Sequence, residues 1–361
     1  MAIASDAAPA RNGVGAYYED LLGYFRPLLA RAEVYSPTIE DGRWHAGLVL
    51  PMPGDATQKL CFPNPWQLRR ELAALAPDVV IVPTPGVYGM TGAFFAARWG
   101  IPLVIGFHTS FEQLTDLYWQ GSLKGRLYRT YLERSHQYLF NRASLVLVNS
   151  KEMEDLARRM GAINIRRVGT PVPAAFARHP VVPCTGALKR VLFAGRLAAE
   201  KNIEAVILAA EQLPGVGFSI AGDGPLRSLV ESAAGRLANV TYLGWLDRAG
   251  LRDQVDLHDA LVLPSHFESF GTIALEAMSR QRMVIVSRGT GISAWDQLRP
   301  GFITIAQDQT LADSIRQLLS ESDAFRLALA RRAGEIAQAF NENNLADWER
   351  LLIETASSRK R

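Results

Sequence analysis

Eight short apolar runs place the strongest constraint on this chain. They are Val79–Val82, Leu103–Gly106, Leu145–Val148, Val191–Ala194, Phe218–Ala221, Val240–Leu243, Ala260–Leu263 and Val284–Val286. Amphipathic stretches such as Gln67–Leu75 and Asn202–Glu211 lie between them. A strand that is apolar at nearly every position is buried on both faces. Strands of that kind, alternating with helices, imply parallel sheets covered on both sides. A length of 361 residues favours two such units over one. The best boundary is the proline-rich stretch from Gly169–Pro173 to Pro183–Gly186, which lacks helical periodicity. The expected division is residues 1–172 and 185–339, each an α/β domain. The tail has an amphipathic helix over Leu345–Ile353 with Trp348 on its face. Residues 340–361 are therefore expected to pack back on the first domain.

Composition excludes several classes. The chain is 48% hydrophobic and 21% charged, with a formal net charge of +3, so nothing marks it for nucleic acid. Its two cysteines, Cys61 and Cys184, have no metal-ligand spacing and fit a reducing compartment. No signal-peptide pattern follows Met1, and no apolar stretch reaches the ~20 residues of a membrane span. The expectation is a cytoplasmic protein whose membrane role, if any, is peripheral.

The segment most informative about function is Pro264-Ser-His-Phe-Glu268-Ser-Phe-Gly271-Thr-Ile-Ala-Leu-Glu276-Ala-Met278. It reads as a strand end, a loop and a helix, with Glu268 at the helix mouth and Glu276 on its body. At about 1.5 Å per residue, two helical glutamates would stand about 12 Å apart. That is too far to share a proton, and it suits the two ends of an elongated polar ligand. Glutamates near a helix start are more often capping or solvated charges, so the neighbouring motifs decide.

Two of these lie upstream. In Val191-Leu-Phe-Ala-Gly195-Arg196-Leu-Ala-Ala-Glu200-Lys201-Asn202, a strand ends in glycine and two cations precede a helix. Gly195 permits close backbone approach, and Arg196, Lys201 and the helix N-terminus would cradle a diphosphate. Ser219-Ile-Ala-Gly222-Asp-Gly224-Pro225 is a second strand-to-glycine turn. Its spacing is not the dinucleotide fingerprint, and neither is Asn12-Gly13-Val-Gly15, where Tyr18 takes the third glycine position. His108, after the run Leu103–Gly106, is expected at a strand's C-terminal end, where ligands bind in open α/β sheets. Asp253, Asp256, His258 and Asp259 read as a solvated polar face rather than a metal cluster. The stretch Leu117–Arg142 interleaves aromatic residues with lysine and arginine. It fits either an anionic membrane surface or a packed surface helix with a basic face.

Together these segments resemble the GT-B retaining glycosyltransferases of family 4. The resemblance rests on Gly195-Arg196 with Glu200-Lys201-Asn202, on Gly222-Asp-Gly-Pro225, and on Glu268-Ser-Phe-Gly271 with Leu275-Glu276-Ala-Met278. Asn12-Gly13-Val14 and Gly106-Phe-His108-Thr-Ser-Phe look like the branch of mannosyltransferases and glycolipid synthases. The resemblance implies two Rossmann-like parallel-sheet domains facing a central cleft. Arg196 and Lys201 would hold the diphosphate of a UDP- or GDP-sugar and stabilise it as leaving group. Glu268 would bind the sugar hydroxyls, near the amides of Phe270 and Gly271, and Glu276 would bind the ribose. Gly195, Gly222 and Gly224 would border the donor. His108 would face the sugar, and Asn12 and Gly13 would lie near the acceptor. Neither metal nor cofactor is implied. The sequence departs from the family after Met278, where Ser279-Arg-Gln-Arg-Met283 replaces a small-residue pattern near the base-binding side. The expected activity is hexosyl transfer to a lipid acceptor of diacylglycerol type. The alternatives are a soluble or polysaccharide acceptor, a nucleotide-sugar epimerase and a non-catalytic relative.

Overall fold

The computed structural model describes residues 1–8, 13–40, 43–51, 59–108 and 123–358. The chain forms two compact units, one of residues 1–171 with 344–361 and the other of residues 172–343.

In the first unit, strands β1 (Ala2–Ala4) and β2 (Glu33–Tyr35) are followed by two short antiparallel hairpins, β3 (Thr38–Glu40) with β4 (Arg43–His45) and β5 (Leu48–Pro51) with β6 (Lys59–Phe62). Strands β7 (Val80–Val82), β8 (Leu103–Phe107), β9 (Leu145–Val148) and β10 (Ile165–Arg167) complete a parallel sheet in the order β10-β9-β8-β7-β1-β2. Its helices are α1 (Gly13–Phe25), α2 (Pro65–Leu75), α3 (Val87–Arg98), α4 (Leu123–Phe140) and α5 (Lys151–Arg159). Buried apolar side chains cover both sheet faces, with Val80, Val82 and Ile105 in one cluster and Ile3, Ile81 and Val104 in another. Trp348, fully buried, joins the second cluster and packs 6.3 Å from the rings of both Tyr17 and Tyr18. The hairpins and strands β1, β2 and β10 are absent from the eight apolar runs: β1 is buried but only three residues long, β2 and β10 mix in charged residues, and β5, although apolar (Leu-Val-Leu-Pro), is short and exposes Leu48 and Leu50.

In the second unit, β11 (Arg190–Ala194), β12 (Gly217–Ala221), β13 (Val240–Gly244), β14 (Ala260–Leu263), β15 (Met283–Val286) and β16 (Ile303–Thr304) form a parallel sheet ordered β13-β12-β11-β14-β15-β16. The helices are α6 (Ala174–Ala177), α7 (Ile203–Gln212), α8 (Arg227–Arg236), α9 (Arg248–Leu257), α10 (Thr272–Ser279), α11 (Leu311–Ser320) and α12 (Asp323–Ser357), whose residues from Asn344 on belong to the first unit. Local chemistry sets several helix starts. The Asp247 side chain accepts from the Gly250 amide at 2.7 Å, and Thr310 and Asp313 form a capping box.

The Asp253–Asp259 stretch is only in part the solvated face expected from its sequence: Asp253 is exposed and pairs with Arg252, but Asp256 and His258 are enclosed. Asp256 is 8% exposed and receives two bonds, of 2.9 and 2.6 Å, from the guanidinium of the fully buried Arg280. His258 is buried between Ser219 Oγ (2.7 Å) and the Gln254 carbonyl (2.6 Å). Asp259 accepts from the amides of Lys189 and Arg190, both at 2.8 Å, at the start of β11. Arg280 also donates to the carbonyls of Phe176, His179 and Pro180, and Arg282 donates to those of Val182, Val255 and Asp256. The unusual arginines after Met278 therefore pin the segment 176–182 to the second unit. A charge buried this deeply persists only when paired and hydrogen-bonded throughout.

Removing one partner should be severe. Arg280→Ala leaves three carbonyls without their donor and Asp256 with only the Arg282 guanidinium, 3.8 Å away, and urea denaturation should show a loss of about 3–5 kcal/mol. A change under about 1 kcal/mol would contradict this account.

Candidate functional site

The sheet of the second unit reverses its strand order between β11 and β14, its two central neighbours. In open α/β sheets such a switch point opens a crevice beyond the carboxyl ends of the strands, where ligands bind. Loops 195–202 and 264–271 flank it. Backbone bonds knit the loops together: Gly195 N to Ala221 O (3.1 Å), Leu197 N to Asp223 O (3.0 Å), Gly222 N to Gly244 O (2.7 Å) and His266 N to Glu200 O (2.9 Å). Gly222 has φ of 137°, and a Cβ there would collide with the Gly195 carbonyl. A Cβ at Gly224 would meet the Leu197 carbonyl in the same way. Both glycines serve backbone packing as well as any ligand.

The Lys201 ammonium donates to Glu268 Oε2, joining the two loops across the switch point. Both side chains are partly buried, at 14% and 21% exposure. Asn202, left-handed at φ 55°, adds a second tie from its Nδ2 to the Pro264 carbonyl at 3.1 Å. The Arg196 guanidinium stands 3.7 Å from Glu200 on the same loop. Glu268 is not helical. Its amide donates to Gly289 O (2.9 Å), its carbonyl accepts from Gly291 N (2.8 Å), and it pairs with Thr290 as a parallel bridge. Gly271, at φ 90°, turns the chain into α10, so a spacing based on one continuous helix does not apply to the two glutamates. The Phe270 ring is core, packed 6.0 Å from Trp295 and 6.1 Å from Phe340, which leaves its backbone as the part that can meet a ligand.

Glu276, on α10, is 2% exposed, and its Oε1 accepts from Arg248 at 2.7 Å. Burial pushes its carboxyl above the usual range, and the Arg248 cation opposes that shift. Reading the sequence alone misses Arg248, which lies 28 residues upstream on another helix. The one available signal is that a buried carboxylate needs a cation.

In the first unit, His108 follows β8, and its Nε2 lies 2.7 Å from the Tyr18 hydroxyl. Burial drives its pKa down to about 4. Gly106 is required beside it, because a Cβ there would run into the Tyr18 hydroxyl and His108 Nε2. This unit has its own switch point, between β1 and β7. Asp6 sits there, accepting from Thr84 Oγ1 (2.8 Å) and from the amides of Tyr88 (2.7 Å) and Gly89 (3.2 Å) at the start of α3. Burial lifts its pKa to about 6, against those hydrogen bonds. The three-residue strand before Asp6 is too short to mark it in the sequence. Gly13 opens α1, while Asn12 lies outside the described residues. Of the basic–aromatic stretch, 109–122 lies outside them too. The described part is α4, which exposes Leu127 and Tyr131 and pairs Arg129 with Glu133 at 3.2 Å. Beyond it, Arg142 stacks 3.7 Å over the Tyr138 ring. Among the described residues, no group of three or more histidine, cysteine or acidic side chains is placed to hold a metal ion.

Comparison with known proteins gives this geometry a class. Residues 188–321 match the family model for glycosyl transferases group 1, and residues 12–173 match that of the glycosyl transferase 4-like domain. The chain is a glycosyltransferase of the GT-B type. A D-inositol 3-phosphate glycosyltransferase from Mycobacteroides abscessus is 27% identical over 316 residues, 78% of this chain and 70% of that protein. Sucrose-phosphate synthase from Thermosynechococcus elongatus superposes with a TM-score of 0.72 at 17% identity, covering 99% of this chain and 100% of its own. HepE from Anabaena, in complex with UDP and glucose, gives 0.66 at 17% identity, covering 99% of each chain.

The glycosyltransferase's His108 should be neutral at physiological pH. Its folded pKa near 4 lies below the ordinary 6.5, so the unfolded chain binds more protons between those values. Its contribution to stability is present above about pH 6.5 and is lost as pH falls toward 4. Asp6, raised from 3.8 to about 6, acts with the opposite sign, its contribution being lost as pH rises through that range. Global melting therefore mixes the two, and a site-specific NMR titration separates them. The His108 ring should titrate near 4; a midpoint above about 6 would refute its buried, neutral state.

Proposed function

We propose that this glycosyltransferase transfers a hexose, with retention of configuration, from a UDP- or GDP-sugar to a lipid acceptor of diacylglycerol type at a membrane surface. The observation that carries the donor half is the Lys201–Glu268 pair, set across the switch point beside Arg196 and the Gly195–Gly222 backbone approach. Breaking the bond between the anomeric carbon and the diphosphate oxygen builds negative charge on the leaving phosphate. Arg196 and Lys201 are fixed cations suited to that charge, so the reading invokes no metal. Glu268 positions Lys201 and accepts from a sugar hydroxyl, and Glu276 accepts from the ribose. The acceptor oxygen attacks from the face the phosphate leaves, and its proton passes to the departing phosphate oxygen. His108, neutral, presents a hydrogen-bonding ring rather than a charge. HepE, a structural neighbour, was solved with UDP, which supports a uridine donor.

The lipid half rests on α4, whose exposed Leu127 and Tyr131 accompany a run of arginines. None of the described helices is long and apolar enough to cross a membrane, so contact would be peripheral. A soluble acceptor is the second reading, favoured by the relative named for D-inositol 3-phosphate.

The test is a donor screen with UDP- and GDP-hexoses, with and without diacylglycerol vesicles, products being identified by mass spectrometry. A hexosyl-lipid is the expected product. Donor consumption that is indifferent to lipid moves the acceptor to the soluble class, and no consumption under any condition overturns the reading. Arg196→Ala and Lys201→Ala should each lower kcat by about 10²–10³-fold, the scale of losing one charge-stabilising group. Unchanged turnover in either variant removes that residue from the mechanism.

A further inference from the structure

We infer that Arg248 is a positioning residue for donor binding: its bond to Glu276 keeps that carboxylate oriented and ionised for the nucleotide's ribose. The inference rests on the donor reading above and adds a residue that no motif marks.

Three observations carry it. Arg248 is built into a fixed turn. The Asp247 side chain caps α9 at the Gly250 amide, and Arg248 is the first residue of that helix. The preceding β13 ends at Gly244, whose carbonyl accepts from Gly222 at 2.7 Å, so this turn is tied to the glycine loop at the switch point. Second, Arg248 reaches Glu276 Oε1 at 2.7 Å, which fixes the plane of the carboxylate that the ribose hydroxyls would meet. Third, Arg248 is the cation that Glu276 depends on. The elements with the most contact to α10 are β14, β15, α6 and the turn Gly291–Ala294, none of which carries an ionisable side chain, and Arg248 is the charge that acts on the Glu276 carboxyl. Arg280, at the end of α10, is committed to Asp256 and to carbonyls of the segment 176–182.

A carboxylate at 2% exposure that loses its cation takes up a proton more readily. Once protonated, it no longer offers a charge-assisted acceptor, which is roughly twice as strong as a neutral one. Arg248 thus sets how far toward acid the enzyme can go before its grip on ribose weakens. A purely structural arginine has no such signature, because its loss would weaken binding by the same factor at every pH.

The experiment measures UDP and GDP binding by calorimetry from about pH 6 to about pH 8.5, comparing Arg248→Gln with the unmodified protein. The ratio of their Kd values cancels the titration of the nucleotide itself. That ratio should be about tenfold near pH 6 and should shrink toward about threefold or less near pH 8.5. Arg248→Lys, which keeps a cation, should restore most of the affinity. In a Glu276→Gln background the Arg248→Gln ratio should be flat with pH, and this pair also serves if Arg248→Gln alone does not fold. A ratio independent of pH overturns the inference, as does pH dependence that survives Glu276→Gln. Failure of the unmodified protein to bind either nucleotide overturns the donor reading itself, and this inference with it, and is told apart by that control.

Discussion

Every strand pair in the two large sheets is parallel, and a parallel ladder forces each connection to cross a face and return to the same edge. The loops that leave the strands' carboxyl ends are therefore gathered on one side of each unit. Where the strand order reverses, two of those loops diverge and leave backbone amides and side chains facing a crevice. Lys201 and Glu268 sit on the two loops at that reversal in the second unit, and Asp6 and Thr84 sit at the equivalent place in the first. The chemistry follows from the topology, because the loops after β11, β12 and β14 are tied together by backbone bonds beside this reversal.

The same crowding explains the glycines. Gly222 and Gly224 adopt positive φ against the carbonyls of Gly195 and Leu197, so the loops after β11 and β12 touch through backbone. Backbone packed to backbone is stiff, and stiffness is what a site needs in order to hold cations ahead of the charge they will stabilise. The ionisable residues divide by burial. Arg196, Lys201 and Glu268 keep part of their surface and can be met by a ligand, whereas Arg280 and Asp256 are closed off and serve the framework. Glu276 lies between these cases, since it is buried yet held by an arginine that is itself 37% exposed.

Much of this was legible in the residues. The eight apolar runs mark eight strands of the two sheets, and the Gly195–Asn202 and Gly222–Pro225 segments fall on the loops that their spacing implied. The short strands were hidden: β1, although buried, spans three residues, and edge strands such as β10 interrupt their apolar residues with exposed charges. Glu268 lies at the helix mouth, as its motif implies, but the 12 Å spacing assumed one continuous helix, about 1.5 Å per residue, and the pattern does not say that Gly271 will turn left-handed between the two glutamates. Asp253 is solvated as its sequence implies, but Asp256 and His258 are not, because sequence spacing shows which residues share a helix face and not what covers that face.

By itself the sequence determined the strand-and-helix alternation, the parallel class and the small set of glycines, cations and glutamates at loop positions. Those are local properties, set by side-chain periodicity and backbone freedom within a few residues. Only the tertiary structure decided partners: Lys201 with Glu268, Arg248 with Glu276, Arg280 with Asp256, and Tyr18 with His108. Each pair joins residues 24 to 90 positions apart. Their pairing is enforced by the cost of burying a charge or polar group alone, and that cost exists only once the surrounding chain has closed over it.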